Sequence, residues 1–278
     1  MKKCIQHIAR LLGYEIRRRA GGASIGQGAE RASLAGSLEQ VRQAGIVPAT
    51  VIDVGAAIGS FTRTCWEVFP EAQYLLVEPL DEYMPSLRKV VHEIPRATYE
   101  IAVAAAIEQP VTINVHHDLV GSSLYCEVEK GTDVNGVQRK VRAVTLDRLV
   151  FERSAPPPYL IKIDVQGAEL DVLAGGEATL KRAEVVILEV SLFQFFEQGP
   201  VFCDVVAYMK SKGFVPYDIQ GLQYRPLDRA LSQADITFVR ENGRLRQFHY
   251  YATPEQRQEQ NRQLRAHLTR LLSPRQIQ

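Results

Sequence analysis

No apolar run in this sequence approaches the roughly 20 residues needed to cross a bilayer, so the chain does not read as membrane-spanning. Met1 to Ala20 also lacks the continuous apolar stretch of a signal peptide. Cysteine is scarce. Cys4, Cys65, Cys126 and Cys203 stand far apart with no C-x-x-C spacing, which argues against structural zinc and against a disulfide framework. A reducing, cytoplasmic setting fits that pattern. An excess of one charge is missing too: a net charge of +1 gives no general case for nucleic acid as a partner. Internal repeats are absent. What is present is a chain of 278 residues, 46% hydrophobic and 23% charged, enough for one large α/β domain with additions and a buried core.

The most telling segment is Thr50-Val-Ile-Asp-Val-Gly-Ala-Ala-Ile-Gly-Ser-Phe61. Val51, Ile52 and Val54 read as a buried strand that enters a glycine turn, and a helix opens at Ser60. Gly55 and Gly59 flank the turn, where the backbone can approach a ligand closely. Free N–H groups of the following helix point back at it. Glu78 ends the next apolar strand, where an acid can accept both hydroxyls of a ribose. The dinucleotide fingerprint G-x-G-x-x-G is not met, because the middle glycine that admits a pyrophosphate is missing. Asp53 would repel a pyrophosphate but could help hold an ammonium, directly or through water. The turn therefore favours S-adenosylmethionine over NAD, with Asp53, Gly55, Gly59 and Glu78 as cofactor residues and Ala102, at the end of a third strand expected at about Thr98 to Val103, in contact with the adenine.

Strands and helices alternate from Val51 onward, which predicts a mostly parallel sheet with helices on both faces. The rhythm breaks at Val111 to Val144, where Val111–Val115 and Val137–Val144 alternate like half-exposed strands and Asn135-Gly136 signals a turn. This predicts an antiparallel insertion after the third strand, laid over the ligand edge of the sheet. A fourth strand, Tyr159 to Asp164, and a fifth, Glu184 to Glu189, each end in an acid. Late strands are expected at Phe214–Ile219 and Asp235–Val239, with Gln220–Gln233 connecting them. Residues 1–48 read as a helical extension and linker, 49–241 as the main domain and 242–278 as a helical tail. In the extension, Lys2 to Arg19 forms an amphipathic pattern with Ile5, Ile8, Leu11 and Leu12 on one side, followed by the glycine-rich Gly21 to Gly28. Such a helix either lies on a membrane surface or packs on its own domain or a second subunit. In the tail, Arg257, Arg262, Arg265 and Arg270 read as a solvated face, with a homodimer contact as the sharper alternative.

Lys162-Ile-Asp-Val-Gln-Gly-Ala-Glu169, together with Asp53-Val-Gly-Ala56, Thr145-Leu-Asp147, Gly121-Ser-Ser-Leu-Tyr125 and Leu188-Glu189-Val190, resembles the FkbM family of S-adenosylmethionine-dependent methyltransferases over roughly Val51 to Arg240. The resemblance implies a Rossmann-like class I methyltransferase fold and transfer of a methyl group to a hydroxyl of a sugar or another secondary metabolite. The turn departs from the family pattern at Ala57, where many relatives carry asparagine.

An alcohol is a poor nucleophile, so a base or a metal should help remove its proton. Asp164, Glu189 and Glu169 are the candidates, the first two because both end strands on the ligand edge. Two carboxylates at neighbouring strand ends could also hold Mg²⁺, but no third ligand is fixed, so metal dependence stays open. His116 and His117 close the inserted strand and could supply a base. Ser122 and Ser123 could cover the cofactor or bind the acceptor. Phe193, with Phe195 and Phe196, could wall a pocket for a small-molecule or glycan acceptor. Asp147 reads as a cap or brace. Two alternatives remain: an N-methyltransferase on the same fold, and a non-catalytic S-adenosylmethionine-binding protein.

Overall fold

The structure, a computed structural model, describes residues 30–272. The expected helix at Lys2–Arg19 and its linker lie outside the described residues. The chain divides into two compact units after Leu245.

The first unit is built on a seven-stranded sheet. Helix α1 (Leu34–Gln43) starts where the Ser33 hydroxyl accepts the Gly36 N–H at 3.1 Å, an ordinary N-cap. Strand β1 (Thr50–Val54), helix α2 (Ser60–Val68), strand β2 (Gln73–Glu78), helix α3 (Met84–Glu93) and strand β3 (Ala97–Ile101) follow in alternation. All of β1 and nearly all of β2 is buried, as apolar runs must be when helices cover both faces of a parallel sheet. The insertion contributes β4 (Val103–Ala104), β5 (Val111–Val115), β6 (Val137–Val141) and β7 (Ala143–Val144). Strands β5 and β6 pair antiparallel, as expected. Asn135-Gly136 does not close a tight hairpin, however: residues 116–136 make a long excursion, and Gly136 leads into β6.

The chain then returns through α4 (Leu146–Glu152), β8 (Tyr159–Ile163), α5 (Glu169–Ala174), α6 (Glu177–Leu180), β9 (Ala183–Ser191), α7 (Phe202–Ser211), β10 (Phe214–Tyr224) and β11 (Leu231–Arg240). Asp147 acts as a brace between helices: its carboxylate accepts the Ala178 and Thr179 N–H groups at 3.0 and 2.7 Å, at the start of α6. Sheet order is β3-β2-β1-β8-β9-β11-β10, parallel except for the pairs made by β11. This is the class I methyltransferase topology. Two cores flank the sheet. Leu38 and Val41 of α1, Cys65 of α2 and Leu87 and Val90 of α3 pack on one face. Leu146, Leu149, Val172, Leu180, Val205 and Met209 pack on the other.

Two boundaries differ from the sequence reading. Strand β9 runs past Glu189 to Ser191, so Glu189 pairs with Asp235 inside the sheet. The expected connection Gln220–Gln233 is mostly strand, and only the residues between Tyr224 and Leu231 turn. Its glutamines look like loop residues because apolar alternation is missing.

The second unit, as far as described, holds helix α8 (Pro254–Leu272), which is largely solvent-exposed. Among the described residues no helix is long and apolar enough to cross a membrane.

Candidate active site

In an open parallel sheet the chain turns outward in opposite directions on either side of one strand pair, and ligands lodge there beyond the carboxyl ends. Here that pair is β1 and β8. A cavity of about 410 Å³ opens at this place. Val54, Gly55, Val77, Glu78 and Asp164 line it from the ends of β1, β2 and β8. Leu80, Tyr83, Ala102, Ile113, Leu119 and Leu124 give it an apolar wall, and Ser122, Ser123 and Gln166 add polar groups. The insertion therefore forms part of the enclosure.

The β1 turn is held tightly. The Gly55 and Ala56 N–H groups donate to the Val77 carbonyl at 2.9 and 3.1 Å, and the Asp164 N–H donates to Val54 O at 2.9 Å. Gly55 has φ +77°, and a Cβ there would meet the Asp164 carbonyl at 1.8 Å, so only glycine lets β1 and β8 end this close together. Ala57 sits at φ +46°, a conformation asparagine adopts more readily than alanine.

Glu78 is buried at the end of β2. Its Oε2 accepts the Ala57 N–H at 2.9 Å and its Oε1 accepts the Leu80 N–H at 3.0 Å. One acid thus ties the turn after β1 to the turn after β2. Burial pushes its carboxyl up to about 7, against the pull of those two backbone N–H groups. Asp53 is placed differently from expectation. It does not line the cavity and accepts the Thr62 hydroxyl at 2.6 Å, pinning α2 to β1. Burial lifts it to about 6. Gly59, the N-cap of α2, is likewise not a lining residue.

Of the three candidate catalytic acids, Asp164 alone lines the cavity, with a third of its side chain exposed. The Gln166 amide bridges it to Glu189, donating at 3.0 Å to Asp164 Oδ1 and at 2.8 Å to Glu189 Oε2. Glu189 also accepts from Gln223 at 2.7 Å and from Gln233 at 2.9 Å. Burial and the neighbouring Asp164 carboxylate hold Glu189 well above the usual carboxylate range. Glu169 is turned back to the Gly167 N–H at 3.0 Å and braces the start of α5; burial pushes it to about 7.

The remaining candidates spread out. Ser123 donates to the Gln166 carbonyl at 2.6 Å and fastens the insertion to the loop after β8. Ser122 accepts the His116 N–H at 3.0 Å. The His116 ring lies 3.7 Å from a Glu127 oxygen, while His117 is exposed; neither lines the cavity. Phe193 also lies outside the lining and carries the Arg225 guanidinium 3.8 Å above its ring. The sequence reading missed Gln166, Gln223 and Gln233, which hold these acids, and the Lys162–Asp235 ion pair beside them. Lys162 and Gln166 stood inside the recognised octapeptide; the other three carry no local signal.

Residues 53–216 match the family described as the methyltransferase FkbM domain. The chain belongs to that family. It is thus a methyltransferase by class. Similar solved structures include an FkbM methyltransferase from Methylobacillus flagellatus KT, at 19% identity and TM-score 0.43, covering 68% of this chain and 43% of that one. A precorrin-6y C5,15-methyltransferase from Geobacter metallireducens GS-15 aligns at 12% identity and TM-score 0.40, over 77% of this chain and 93% of that one. The Burkholderia thailandensis 1,6-didemethyltoxoflavin-N1-methyltransferase, with bound 1,6-didemethyltoxoflavin and S-adenosylhomocysteine, aligns at 12% identity and TM-score 0.42, over 75% and 79%. The chain therefore spans less than half the length of the Methylobacillus protein. No curated protein sequence matches it. Among the described residues, no group of three or more His, Cys, Asp or Glu side chains is arranged to hold a metal ion.

The buried acids of this FkbM-family site make stability depend on pH in an unusual direction. Asp53, Glu78 and Glu169 bind protons more tightly folded than unfolded. Their contribution is complete below the unfolded values near pH 4 and is lost as pH rises through 6 to 7. A shift the size of Glu78's is worth on the order of 3 kcal/mol. Urea denaturation of the ligand-free protein should therefore give a lower unfolding free energy at pH 7.5 than at pH 5. A flat or rising profile over that range would contradict the burial of these groups.

Proposed function

We propose that this FkbM-family protein is an S-adenosylmethionine-dependent O-methyltransferase whose acceptor is a hydroxyl of a sugar or another secondary metabolite. The observation that carries the reading is a single cavity presenting both Glu78 and Asp164, one suited to a ribose and the other to an acceptor proton. Each Glu78 oxygen accepts one backbone N–H, and each retains capacity for one hydroxyl more, so the pair suits a vicinal diol. Leu80, Tyr83, Ala102 and Ile113 offer an apolar wall for an adenine. S-adenosylmethionine, when bound, supplies a methyl group activated on a sulfonium. Gly55 and Ala57 would shape the turn against it, with Asp53 and Gly59 fixing that turn from behind.

Asp164 takes the proton from the acceptor hydroxyl onto its carboxylate. The Gln166 amide fixes the orientation of that carboxylate, and Glu189 anchors the amide from the other side. Leu119 and Leu124 of the insertion add apolar surface to the cavity. The excess of carboxylates at this edge also supports a second reading, in which the acceptor is an amine that binds as its cation and gives a proton to Asp164 before its free lone pair takes the methyl group. The test is transfer of an isotope-labelled methyl group from S-adenosylmethionine to a panel of sugars, hydroxylated metabolites and amines. O-methylated product supports the proposal. Product on amines alone would replace it with the second reading.

A further inference from the structure

Lys162 on β8 faces the same side of the sheet as Asp164, Glu189 and Asp235. Only 7% of its side chain is exposed. Its Nζ lies 2.5 Å from Asp235 Oδ1 on β11 and 3.3 Å from Asp164 Oδ2. Three further carboxylate oxygens of this group already accept protein N–H donors. Asp164 Oδ1 takes Gln166, Glu189 Oε1 takes Gln223, and Glu189 Oε2 takes Gln166 and Gln233. A divalent ion held between Asp164 and Glu189 would have to displace those donors and the ammonium. Three acids so close together repel one another when ionised, and burial removes the water that would screen them.

We infer that Lys162 is the fixed cation of the transfer site: its ammonium balances Asp164, Glu189 and Asp235, the role a divalent metal would otherwise fill, so that methyl transfer needs no added metal ion. The inference rests on the transfer reading above and deepens it. Burial works against the charged ammonium, but Asp164, Asp235 and Glu189 more than offset it and hold Lys162 above the usual lysine range. Lys162 acts through Asp164. It is a positioning residue, with no contact to the reacting atoms assigned to it.

The test uses the whole protein and the variants Lys162→Ala and Lys162→Arg. Lys162→Ala is expected to lose on the order of 10 °C in melting temperature, since it strands buried carboxylates. Propylammonium chloride should restore much of that loss, and 1-propanol at the same concentration should not. Methyl transfer should fall with Lys162→Ala, return with propylammonium, and survive largely in Lys162→Arg. Wild-type transfer should be unchanged by EDTA or Mg²⁺, and Mn²⁺ should show no specific binding by electron paramagnetic resonance. Equal rescue by propanol would show that the side chain only fills space. Specific Mn²⁺ binding abolished by Asp164→Asn would show that a metal, not Lys162, balances the site. Both the thermal and the Mn²⁺ measurements read without turnover. If no acceptor is ever methylated, the proposed function fails while the place of Lys162 is still decided.

Discussion

Asp164→Asn is expected to lower turnover by a factor of about 10² to 10⁴, the usual contribution of a positioned general base, while leaving S-adenosylhomocysteine affinity nearly unchanged. The two side chains are almost isosteric. Asparagine can still accept the Gln166 N–H at the position of Asp164 Oδ1, where the acid accepts it at 3.0 Å. What it cannot do is take a proton. The substitution also weakens one of the Lys162 ion pairs, but Asp235 retains that ammonium at 2.5 Å, so the fold should hold. Glu189 does not replace Asp164 because it is buried inside β9 under three amide donors and lies outside the cavity lining. Steady-state kinetics should thus show the loss in kcat. Wild-type turnover in Asp164→Asn would remove Asp164 as the base.

The second large effect belongs to Glu78. Measured at pH 8.5, where a Glu78 carboxyl held at about 7 is ionised, Glu78→Ala should weaken S-adenosylhomocysteine binding by about 1.5–3 kcal/mol, the value of hydrogen bonds to a charged group, or roughly 10- to 150-fold in Kd. The loss has two sources. A ribose would lose its acceptor, and the Ala57 and Leu80 N–H groups would lose the carboxylate that joins their turns. Glu78→Gln separates them, because it keeps one acceptor oxygen for the backbone and sheds the charge. Calorimetric titration of both variants measures the difference. Unchanged affinity in Glu78→Ala would refute the assignment of Glu78 to the ribose.

The elements that position this site were legible because burial on both faces leaves plain apolar runs. Val51–Val54, Tyr74–Val77 and Tyr159–Ile163 each show one, and each is followed by a turn or an acid at the ligand edge. The β10–β11 hairpin was under-read for the opposite reason. Gln220, Gln223, Ser232, Gln233 and Asp235 break the apolar alternation, since part of this hairpin packs against Glu189 and Lys162 rather than against a greasy core. Pattern reading treats such residues as solvated. The role of Asp53 was equally hidden. An acid before a glycine turn looks the same in sequence whether it faces a ligand or, as here, Thr62 on the following helix. Lys162 lies in a run of apolar residues, and nothing local reveals that its partner Asp235 lies 73 residues further along the chain.

The most direct measurement is a calorimetric titration of the folded wild-type protein with S-adenosylhomocysteine, run beside NAD⁺ under the same conditions. One-site binding of S-adenosylhomocysteine in the micromolar range, with none for NAD⁺, is the expected result for a cavity framed by Gly55, Glu78 and Asp164. A folded protein that ignores S-adenosylhomocysteine, or that prefers NAD⁺, would contradict the assignment of this cavity to the methyl donor.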